Sequence, residues 1–338
     1  MKIYSKEELN NFHYSLTYDD ISLVPTTISS IRSRRDIELK TTFLGLDLTI
    51  PVVSSPMDTV TGIEMCRELD KAGALGILNR FDSSITKVLE SNSNENGIKA
   101  VSIGLDVPDE ILEKIADRNY IVCIDTANAN NKYVLQKTEE IKSRYGLKVI
   151  IGNIACGSTL QDLENSGADA VRVGIGGGSV CTTSVQTGIG IGQVSAILDA
   201  VMTKKYKNLR IEIIADGGIK HTGDIANAIA LGADAVMLGR MLAGTKETPG
   251  EVIKYNGMLW KKYRGSASFG VKMKNEFVEG EETMVPYKGT VLNVLDSIMD
   301  GLRSCMSYMN CNSLEELKSC ESFVVLSNSS YLERLPKV

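Results

Sequence analysis

Short apolar runs alternate with amphipathic stretches along most of the 338-residue chain. The runs are rich in Val, Ile and Ala at nearly every position, as in parallel strands that are buried on both faces. They predict strands at residues 50–54, 73–78, 99–103, 121–124, 149–152, 170–173, 211–215 and 235–238. Helical periodicity lies between them, at residues 61–71, 134–145, 159–166 and 224–231. This alternation predicts an α/β fold, a (β/α)8 TIM barrel.

The domain organisation follows from the uniform composition of the chain. No Pro- or Ser-rich linker divides it, so residues 1–338 are interpreted as a single barrel domain with N- and C-terminal extensions. Glycine and charged residues are frequent at 265–289, after the eighth predicted strand. A long excursion at this place is expected to be a mobile lid.

Composition excludes several classes of function. The net charge is -5 and there is no long basic run, which argues against a nucleic-acid partner. A polar N-terminus and the lack of a long apolar run predict neither a signal peptide nor a membrane span. Seven cysteines without a CxxC pair are typical of reduced thiols in a cytoplasmic protein. With only His13 and His221, a Ser-His-Asp triad or a multi-histidine zinc site is not expected.

Polar and glycine residues follow the predicted strands, where a TIM barrel carries its function. They include residues 54–58, Asn79, Arg80, Asp125, Asn153, Gly174, 216–218, Gly239 and Arg240. Turn formation explains any one of them. Their repetition at successive strand ends predicts a ligand site.

The most specific segment is residues 173–183, VGIGGGSVCTT. Its glycines let the backbone approach a ligand closely and present amide N–H groups to a phosphate, beside the Ser179 hydroxyl. Cys181 follows on this polar loop, where a thiolate is able to attack an electrophilic ring carbon. The alternative is a structural cysteine, which is the expected role of Cys66 on an apolar helix face and of Cys123 in a buried strand.

Residues 214–219 and 236–240 are the second pair of segments that indicates a ligand site. The loops after the seventh and eighth strands of a barrel commonly bind phosphate, and Gly217, Gly218, Gly239 and Arg240 suit that role. Asp216 is placed to accept hydrogen bonds from ribose hydroxyls. A carboxylate that caps the next helix is the alternative for Asp216.

Seven segments together resemble the family of IMP dehydrogenase and GMP reductase over nearly the full length. They are residues 16–21 (LTYDDI), 54–60 (SSPMDTV), 174–183 (GIGGGSVCTT), 214–219 (IADGGI), 263–268 (YRGSAS), 285–289 (VPYKG) and 301–304 (GLRS). The resemblance implies an oxidoreductase that bonds Cys181 covalently to C2 of a purine nucleotide.

The resemblance also implies roles for individual residues. Cys181 matches the nucleophile, and Thr183 and Glu279 match its partners in proton transfer. Substrate-binding positions are matched by Ser55, Met57, Ser179, Asp216, Gly217, Gly218, Gly239, Arg240, Tyr263, Gly265 and Ser266. Cofactor-binding positions are matched by Ser33, Arg34, Arg80, Asp125, Thr126, Ala127 and Asn128, with surface charge as the alternative for Arg34. Backbone carbonyls of Gly176, Gly178 and Cys181 match a site for a monovalent cation such as K+.

The segment that would activate water distinguishes the two activities of the family. The dehydrogenase hydrolyses the adduct and usually carries an Arg-Tyr pair in a long flap, whereas the reductase expels ammonia from GMP. Residues 272–284, KMKNEFVEGEETM, contain neither Arg nor Tyr, and Glu279-Gly280 matches the reductase lid. No regulatory CBS insertion is seen around residues 81–98. We therefore expect a GMP reductase that uses NADPH to convert GMP to IMP and ammonia.

Two alternatives stay open. Residues 54–60, 214–219 and 263–265 are closer to a dehydrogenase, and Gly177, Ser184 and Arg240 depart from the usual family residues. An IMP dehydrogenase without a regulatory domain is one alternative, and a catalytically silent purine-nucleotide-binding protein is the other. An unrelated flavin or phosphate-sugar barrel leaves the Cys181 loop unexplained. The implied partners are GMP, IMP and NADPH, with neither nucleic acid nor membrane, in a homotetramer.

Overall fold

The computed structural model describes residues 2–81, 84–90, 97–268 and 279–334. Its strands, in chain order, are β1 (Ile21–Leu23), β2 (Thr41–Phe43), β3 (Leu46–Leu48), β4 (Val52–Ser54), β5 (Leu75–Leu78), β6 (Ala100–Ile103), β7 (Ile121–Asp125), β8 (Val149–Ile154), β9 (Ala170–Val173), β10 (Glu212–Asp216), β11 (Ala235–Leu238), β12 (Ile253–Tyr255), β13 (Met258–Arg264), β14 (Glu282–Pro286) and β15 (Phe323–Val325).

The helices that accompany these strands are, in chain order, α1 (Lys6–Asn10), α2 (Ile63–Lys71), α3 (Ser84–Glu90), α4 (Asp109–Asp117), α5 (Lys132–Tyr145), α6 (Leu160–Asn165), α7 (Thr183–Thr187), α8 (Gln193–Tyr206), α9 (Thr222–Leu231), α10 (Val291–Met309), α11 (Leu314–Lys318) and α12 (Asn328–Arg334). Within the described residues, no helix is both long enough and apolar enough to cross a membrane.

Strands β4 to β11 close into a barrel in which sequence neighbours are neighbours in space. Every pairing is parallel, and β11 completes the circle by pairing with β4. Helices alternate with these strands along the chain, and apolar side chains of both fill the layer between them. The predicted TIM barrel is confirmed.

The predicted boundaries shift where local chemistry opposes them. The first barrel strand begins at Val52 and not at residue 50, because Pro51 has no N–H to offer to a neighbouring strand. The helix predicted at 61–71 begins at Ile63, because Gly62 is its N-cap in extended backbone. Thr61 is held outside that helix by hydrogen bonds from its hydroxyl to Ser54 Oγ (2.8 Å) and to the Ser55 carbonyl (2.6 Å).

Along each barrel strand, alternate side chains point into the barrel interior. Ile121 and Cys123 of β7, Ala170 of β9 and Ile214 of β10 belong to its apolar cluster. Because side chains of a strand alternate between faces, the next inward positions fall at the carboxyl ends of the strands. Those positions carry charged residues, as the site described below shows.

The amino-terminal end of the barrel is closed by the β2–β3 hairpin. Phe43, Leu44 and Leu48 of this hairpin join the apolar cluster of the barrel interior. The Leu44 N–H donates to the carboxylate of Glu212, the first residue of β10, at 2.7 Å. The apolar plug leaves the opposite, carboxyl end of the barrel for ligands.

A separate antiparallel sheet, in the order β12–β13–β14, follows the barrel. Its β13–β14 pairing aligns Tyr263 with Thr283 and Arg264 with Glu282. Of the predicted lid at 265–289, residues 265–268 and 279–289 are described, and 269–278 lie outside the described residues. The same is true of residues 82, 83 and 91–96 of the segment in which no insertion was expected.

Close packing between β5 and α2 requires glycine at position 76. A Cβ there would lie 2.7 Å from the Cys66 Cα atom, which is backbone and unable to yield. We expect Gly76→Ala to lower the free energy of unfolding by about 1–3 kcal/mol, the usual cost of overpacking a core. The matched control is Gly223→Ala in α9, where an added Cβ meets no atom within 4 Å. Urea unfolding followed by circular dichroism measures both, and equal midpoints would contradict this packing.

Candidate active site

A cavity of about 480 Å³ lies at the carboxyl end of the barrel. Loops after β4, β5, β7, β8, β9, β10 and β11 contribute to its wall, together with β13 and Glu279. The predicted site residues that line it are Ser55, Met57, Arg80, Asp125, Thr126, Ala127, Gly176, Gly178, Ser179, Cys181, Thr183, Asp216, Gly217, Gly218, Gly239, Arg240, Tyr263, Gly265, Ser266 and Glu279. The structure therefore brings most of the predicted residues to one place.

Three residues predicted to bind the cofactor lie outside this cavity. Arg34 donates to Ser304 Oγ at 3.0 Å and packs over the Tyr308 ring. Ser33 caps the short helix of residues Arg34–Asp36. Asn128 is exposed and accepts the Asn130 N–H at 3.0 Å. Their side chains have local partners outside this cavity, and cofactor binding by these three residues stays a prediction.

The loop that carries Cys181 depends on glycine. Gly174 and Gly176 have positive φ, at 140° and 88°. A Cβ on Gly174 would lie 2.1 Å from the Asp216 carbonyl oxygen, and one on Gly176 would lie 1.8 Å from Ser184 Oγ. Only glycine combines this backbone conformation with such close approach. The tight loop turns the Cys181 side chain toward the cavity.

Residues 279–281 pair with the Cys181 loop by backbone hydrogen bonds. The Thr182 N–H donates to the Glu279 carbonyl, and the Glu281 N–H donates to the Val180 carbonyl, both at 2.9 Å. Gly280 lies opposite Cys181 in this antiparallel bridge. The pairing fixes the end of the lid segment against the loop and sets the position of the Glu279 side chain.

A hydrogen-bonded chain joins a thiol, a hydroxyl and a carboxylate. The Cys181 thiol donates to Thr183 Oγ1 at 3.2 Å, and the Thr183 hydroxyl donates to Glu279 Oε2 at 2.7 Å. Cys181 is partly exposed to the cavity. A thiol, a bridging hydroxyl and a carboxylate in contact are able to pass a proton between nucleophile and acid.

The two cysteines expected to be structural differ from Cys181 in burial. Cys66 and Cys123 are fully buried. Burial raises the pKa of Cys123 to about 12, and it raises the pKa of Cys66 as well, because the thiolate loses its hydration. Both thiols therefore stay protonated and unreactive.

The predicted phosphate end of the cavity combines a phenol, a hydroxyl and a cation. The Tyr263 hydroxyl lies 3.2 Å from Ser179 Oγ, and Arg240 lines the same wall. Burial raises the pKa of Tyr263, so the phenol stays protonated and able to donate to an anion. The Gly218 N–H, expected to bind phosphate, donates to the Gly177 carbonyl at 2.9 Å. Phosphate binding there requires that N–H to be shared or released.

A second cation lies behind Arg240. The Lys288 ammonium donates to the carbonyls of Arg240 (2.9 Å) and Met241 (3.2 Å). Burial lowers the pKa of Lys288, and the charge of Arg240 lowers it further. Positive charge thus accumulates at this end of the cavity.

The loop after β4 is fixed to the β13–β14 hairpin by an ion pair. The Arg264 Nε donates to Asp58 Oδ2 at 2.8 Å, and the Arg264 N–H donates to Thr59 Oγ1 at 3.1 Å. The residue before Arg264 is Tyr263, and the loop before Asp58 carries Ser55 and Met57. This contact sets the two walls of the phosphate end relative to each other.

Arg172 is a site residue that the sequence analysis did not identify. Its guanidinium group bridges two carboxylates, Asp125 at 2.8 Å and Asp216 at 2.9 Å. Asn153 donates to the same Asp216 oxygen at 2.8 Å, and Arg80 lies 3.4 Å from Asp125. Although burial opposes its charge, the two carboxylates raise the pKa of Arg172, which is 7% exposed. The clue in the sequence was an arginine in an apolar strand, with the same inward parity as Ala170.

The remaining cavity residues that were not predicted include Ile175, Val180, Lys220, Met237, Leu238 and Ala267. Most are apolar and follow the strand ends that had been identified, so they form the walls between the polar groups. Lys220 pairs with Asp19 at 2.6 Å.

The cation site predicted at the Gly176, Gly178 and Cys181 carbonyls involves the same loop. The Gly178 carbonyl accepts the Cys181 N–H at 3.1 Å. One of the three expected ligands is thus already engaged, and the monovalent cation stays a prediction. Within the described residues, no cluster of three or more His, Cys, Asp or Glu side chains is arranged to hold a metal ion.

Comparison with known proteins identifies the family. The IMP dehydrogenase / GMP reductase domain matches residues 15–337. The inosine-5'-monophosphate dehydrogenase of Borreliella burgdorferi is 33% identical, covering 95% of this chain and 96% of its own. The GMP reductase of Lactobacillus delbrueckii subsp. bulgaricus is 35% identical, covering 95% of this chain and 98% of its own. The dehydrogenase of Cryptosporidium parvum is 32% identical, covering 96% and 95%.

This chain belongs to the IMP dehydrogenase / GMP reductase family. The predicted resemblance is confirmed, and membership makes the protein an oxidoreductase. Relatives with either activity are similar to it at nearly the same identity, so the family does not decide between the two. The choice rests on the chemistry of the site.

The ion pairs of Arg172 with two carboxylates lead to a prediction about the free energy of unfolding. Replacing Arg172 by Met leaves the buried Asp125 and the half-buried Asp216 without the cation between them. We expect Arg172→Met to lower the free energy of unfolding by about 3–5 kcal/mol, the usual cost of breaking a buried ion pair. Arg172→Lys keeps one charge but bridges less well, and we expect a smaller loss. Urea unfolding measures both, and an Arg172→Met protein as stable as the wild type would refute this role.

Proposed function

We propose that the protein is a GMP reductase, which converts GMP to IMP and ammonia with NADPH. The observation that carries the proposal is the chain from Cys181 through Thr183 to Glu279. It supplies a nucleophile and a proton donor on the same side of the cavity. A reductive deamination needs both, because the amino group must be protonated as it leaves.

The absence of water-activating residues in the lid sequence supports the reductase. Residues 272–284 contain neither Arg nor Tyr, the pair that usually activates water in the dehydrogenase. Instead, the hydroxyl of Thr183, which lies beside Cys181, donates to the carboxylate of Glu279. The hydrolytic half of a dehydrogenase therefore has no evident catalyst in this lid sequence.

The nucleotide is placed by the two ends of the cavity. Its phosphate binds at Ser179, Gly239, Arg240 and Tyr263, where positive charge and neutral hydroxyl donors meet. Asp216 accepts hydrogen bonds from the ribose hydroxyls and is held for this by Arg172 and Asn153. The base then lies over Cys181, between these contacts and the lid.

The reaction begins at the base. The Cys181 sulfur attacks C2 of the purine and forms a carbon–sulfur bond. The bond between C2 and the amino nitrogen breaks, and its electron pair leaves with the nitrogen. The proton that the Cys181 thiol gives up passes through Thr183 to Glu279, and Glu279 with Thr183 returns it to this nitrogen, which leaves as ammonia. A hydride at C2 and loss of the sulfur then complete IMP.

The residues around Asp125 fit a nicotinamide cofactor, which when bound supplies the hydride. Asp125 is 8% exposed and held by Arg172 and Arg80, so its carboxylate is fixed to accept from ribose hydroxyls. A second cavity of about 550 Å³ shares Arg80, Asp125 and Thr126 with the first. The adjoining space has room for the rest of a dinucleotide. NADPH as the donor, the K+ site and the homotetramer rest on the family resemblance alone.

An IMP dehydrogenase is the second candidate. It is favoured by residues 54–60 and 214–219, and by relatives of that name at 33% and 32% identity. It would use the same thiol and the same phosphate end. The two candidates differ in which nucleotide and which form of the cofactor are consumed.

Direct assay separates the two candidates. We expect NADPH to be oxidised in the presence of GMP with formation of IMP, and no XMP to form from IMP and NAD+. Absorbance of the reduced nicotinamide and chromatography of the nucleotides measure both reactions. Robust XMP production would overturn the reductase, and silence in both assays would favour a nucleotide-binding protein without activity. In the same assay Cys181→Ala should abolish turnover but retain GMP, whereas Cys156→Ser should behave as the wild type.

The lid carboxylate makes a separate prediction. Glu279→Gln keeps the size of the side chain but removes the acid, so we expect kcat to fall by about 10²–10⁴-fold, the usual contribution of a general acid. The KM for GMP should change little, because the phosphate end is untouched. The neighbouring Glu281→Gln is the matched control, since the Glu281 side chain is exposed and its backbone pairs with Val180 and Gly265. Equal losses in the two variants would show a general effect on the lid and refute the proton-transfer role.

A further inference from the structure

Two cysteines outside the proposed reaction lie side by side. The Sγ atoms of Cys311 and Cys320 are 3.7 Å apart. Cys311 follows α10, and Cys320 follows α11. The Lys318 ammonium at the end of α11 pairs with Asp234 at 3.1 Å, and Asp234 immediately precedes β11. The two thiols therefore lie near the amino-terminal end of the barrel, away from Cys181.

Each sulfur also contacts a backbone carbonyl, Cys311 Sγ that of Met309 at 3.5 Å and Cys320 Sγ that of Glu316 at 3.8 Å. Both lie beyond the last turn of a helix, where the Cys311 N–H donates to the Met306 carbonyl (2.9 Å) and the Cys320 N–H to the Leu317 carbonyl (3.1 Å). A disulfide has a sulfur–sulfur distance of about 2.05 Å. From 3.7 Å, closure requires the two sulfurs to approach by about 1.7 Å, and neither backbone hydrogen bond involves a side-chain atom.

Both sulfurs are within reach of a small oxidant. A surface cavity of about 460 Å³ is lined by Cys311 and Cys320 together with Thr27, Asn310, Glu316 and Ser319. Cys311 is itself 3% exposed, whereas Cys320 is partly exposed. A solute that enters this cavity meets Cys320 first.

The surroundings make the two thiols unequal. The hydrogen bond from Cys311, with help from the Lys6 ammonium, lowers the pKa of Cys320 to about 7, against the opposing effects of burial and Glu321. The same hydrogen bond, together with burial, raises the pKa of Cys311. A third cysteine, Cys305, lies nearby, and burial raises its pKa to about 11. Cys320, the more exposed sulfur and the one with the lowered pKa, is therefore the first to react, and Cys311 is its partner.

We propose that Cys311 and Cys320 are an oxidation site that closes reversibly into a disulfide when the protein meets hydrogen peroxide. The Cys320 thiolate attacks one peroxide oxygen, the O–O bond breaks, and hydroxide leaves and takes up a proton. The Cys311 sulfur then attacks the sulfenic acid of Cys320, and a second water leaves with the Cys311 proton. Two thiols lose two electrons in total, and one peroxide becomes two waters. A dithiol such as dithiothreitol reverses the bond by exchange.

Peptide mapping tests the bond directly. The reduced full-length protein is treated with a small excess of hydrogen peroxide, blocked with N-ethylmaleimide and digested with trypsin. Cleavage after Arg303 and Lys318 places Cys311 and Cys320 on different peptides, so the disulfide appears as a crosslinked pair. We expect this pair to form before any other cysteine is oxidised in a Cys181→Ala background, and to disappear with dithiothreitol. The bond closes a short loop, so Tm should rise by a few degrees on oxidation.

Single variants assign the crosslink. Cys311→Ser and Cys320→Ser should each abolish it and the rise in Tm, whereas Cys305→Ser should keep both, although Cys305 shares a tryptic peptide with Cys311. Cys156→Ser is the remote control, because the Cys156 sulfur contacts the Ser158 hydroxyl at 3.1 Å. A crosslink that survives Cys311→Ser would overturn the proposal. So would oxidation of Cys320 to a sulfinic acid without a crosslink in the wild-type protein.

Discussion

The buried guanidinium of Arg172 is the contact on which the carboxyl end of this barrel depends. Two carboxylates, Asp125 and Asp216, are brought together by strands β7 and β10 and would repel each other in the interior. Arg172 stands between them on β9, and Arg80 adds a second cation beside Asp125. These two carboxylates and two guanidinium groups form a layer of side chains with no net charge. This neutrality lowers the free-energy cost of taking each charge out of water. Without Arg172, the carboxylates of Asp125 and Asp216 would face each other with no cation between them.

The strand pattern predicted most of the barrel but not this layer. Runs such as 121–124 and 170–173 are buried on both faces, so their apolar pattern shows a strand without showing which side chains point inward. Inward parity becomes visible only when the strands are paired in register, with Val122 beside Val149 and Ile150 beside Ala170. Arg172 then falls beneath the site, although in the sequence it is one cation within an apolar run. The polar residues at strand ends were predictable because they interrupt the apolar pattern. Arg172 was not, because it lies within an apolar run.

Contacts between segments that are distant in the chain could not be predicted from the sequence either, for a different reason. Glu279 meets Thr183 across 96 positions of chain, because backbone bonds fix residues 279–281 against the Cys181 loop. Motif resemblance placed Glu279 and Thr183 in one site, yet the contact depends on how the loop and the lid segment pair. The resemblance assigned Ser33, Arg34 and Asn128 to the cofactor, and that role stays a prediction. Their local hydrogen bonds hold them outside the cavity of this chain.

The site is built from two parts, the barrel and the lid segment, and this explains how one fold is able to carry two activities in this family. The Cys181 thiol, the cationic end of the cavity and the Asp216 carboxylate are carried by the barrel strand ends and β13, and in the proposed function either nucleotide uses them. In that proposal the proton is transferred by Glu279 of the lid segment, through the Thr183 hydroxyl. A change of lid therefore alters the chemistry while the barrel continues to place the purine. In this chain residues 272–284 contain no Arg-Tyr pair and Glu279 contacts Thr183, so under the proposed function the site favours loss of an amine over attack by water.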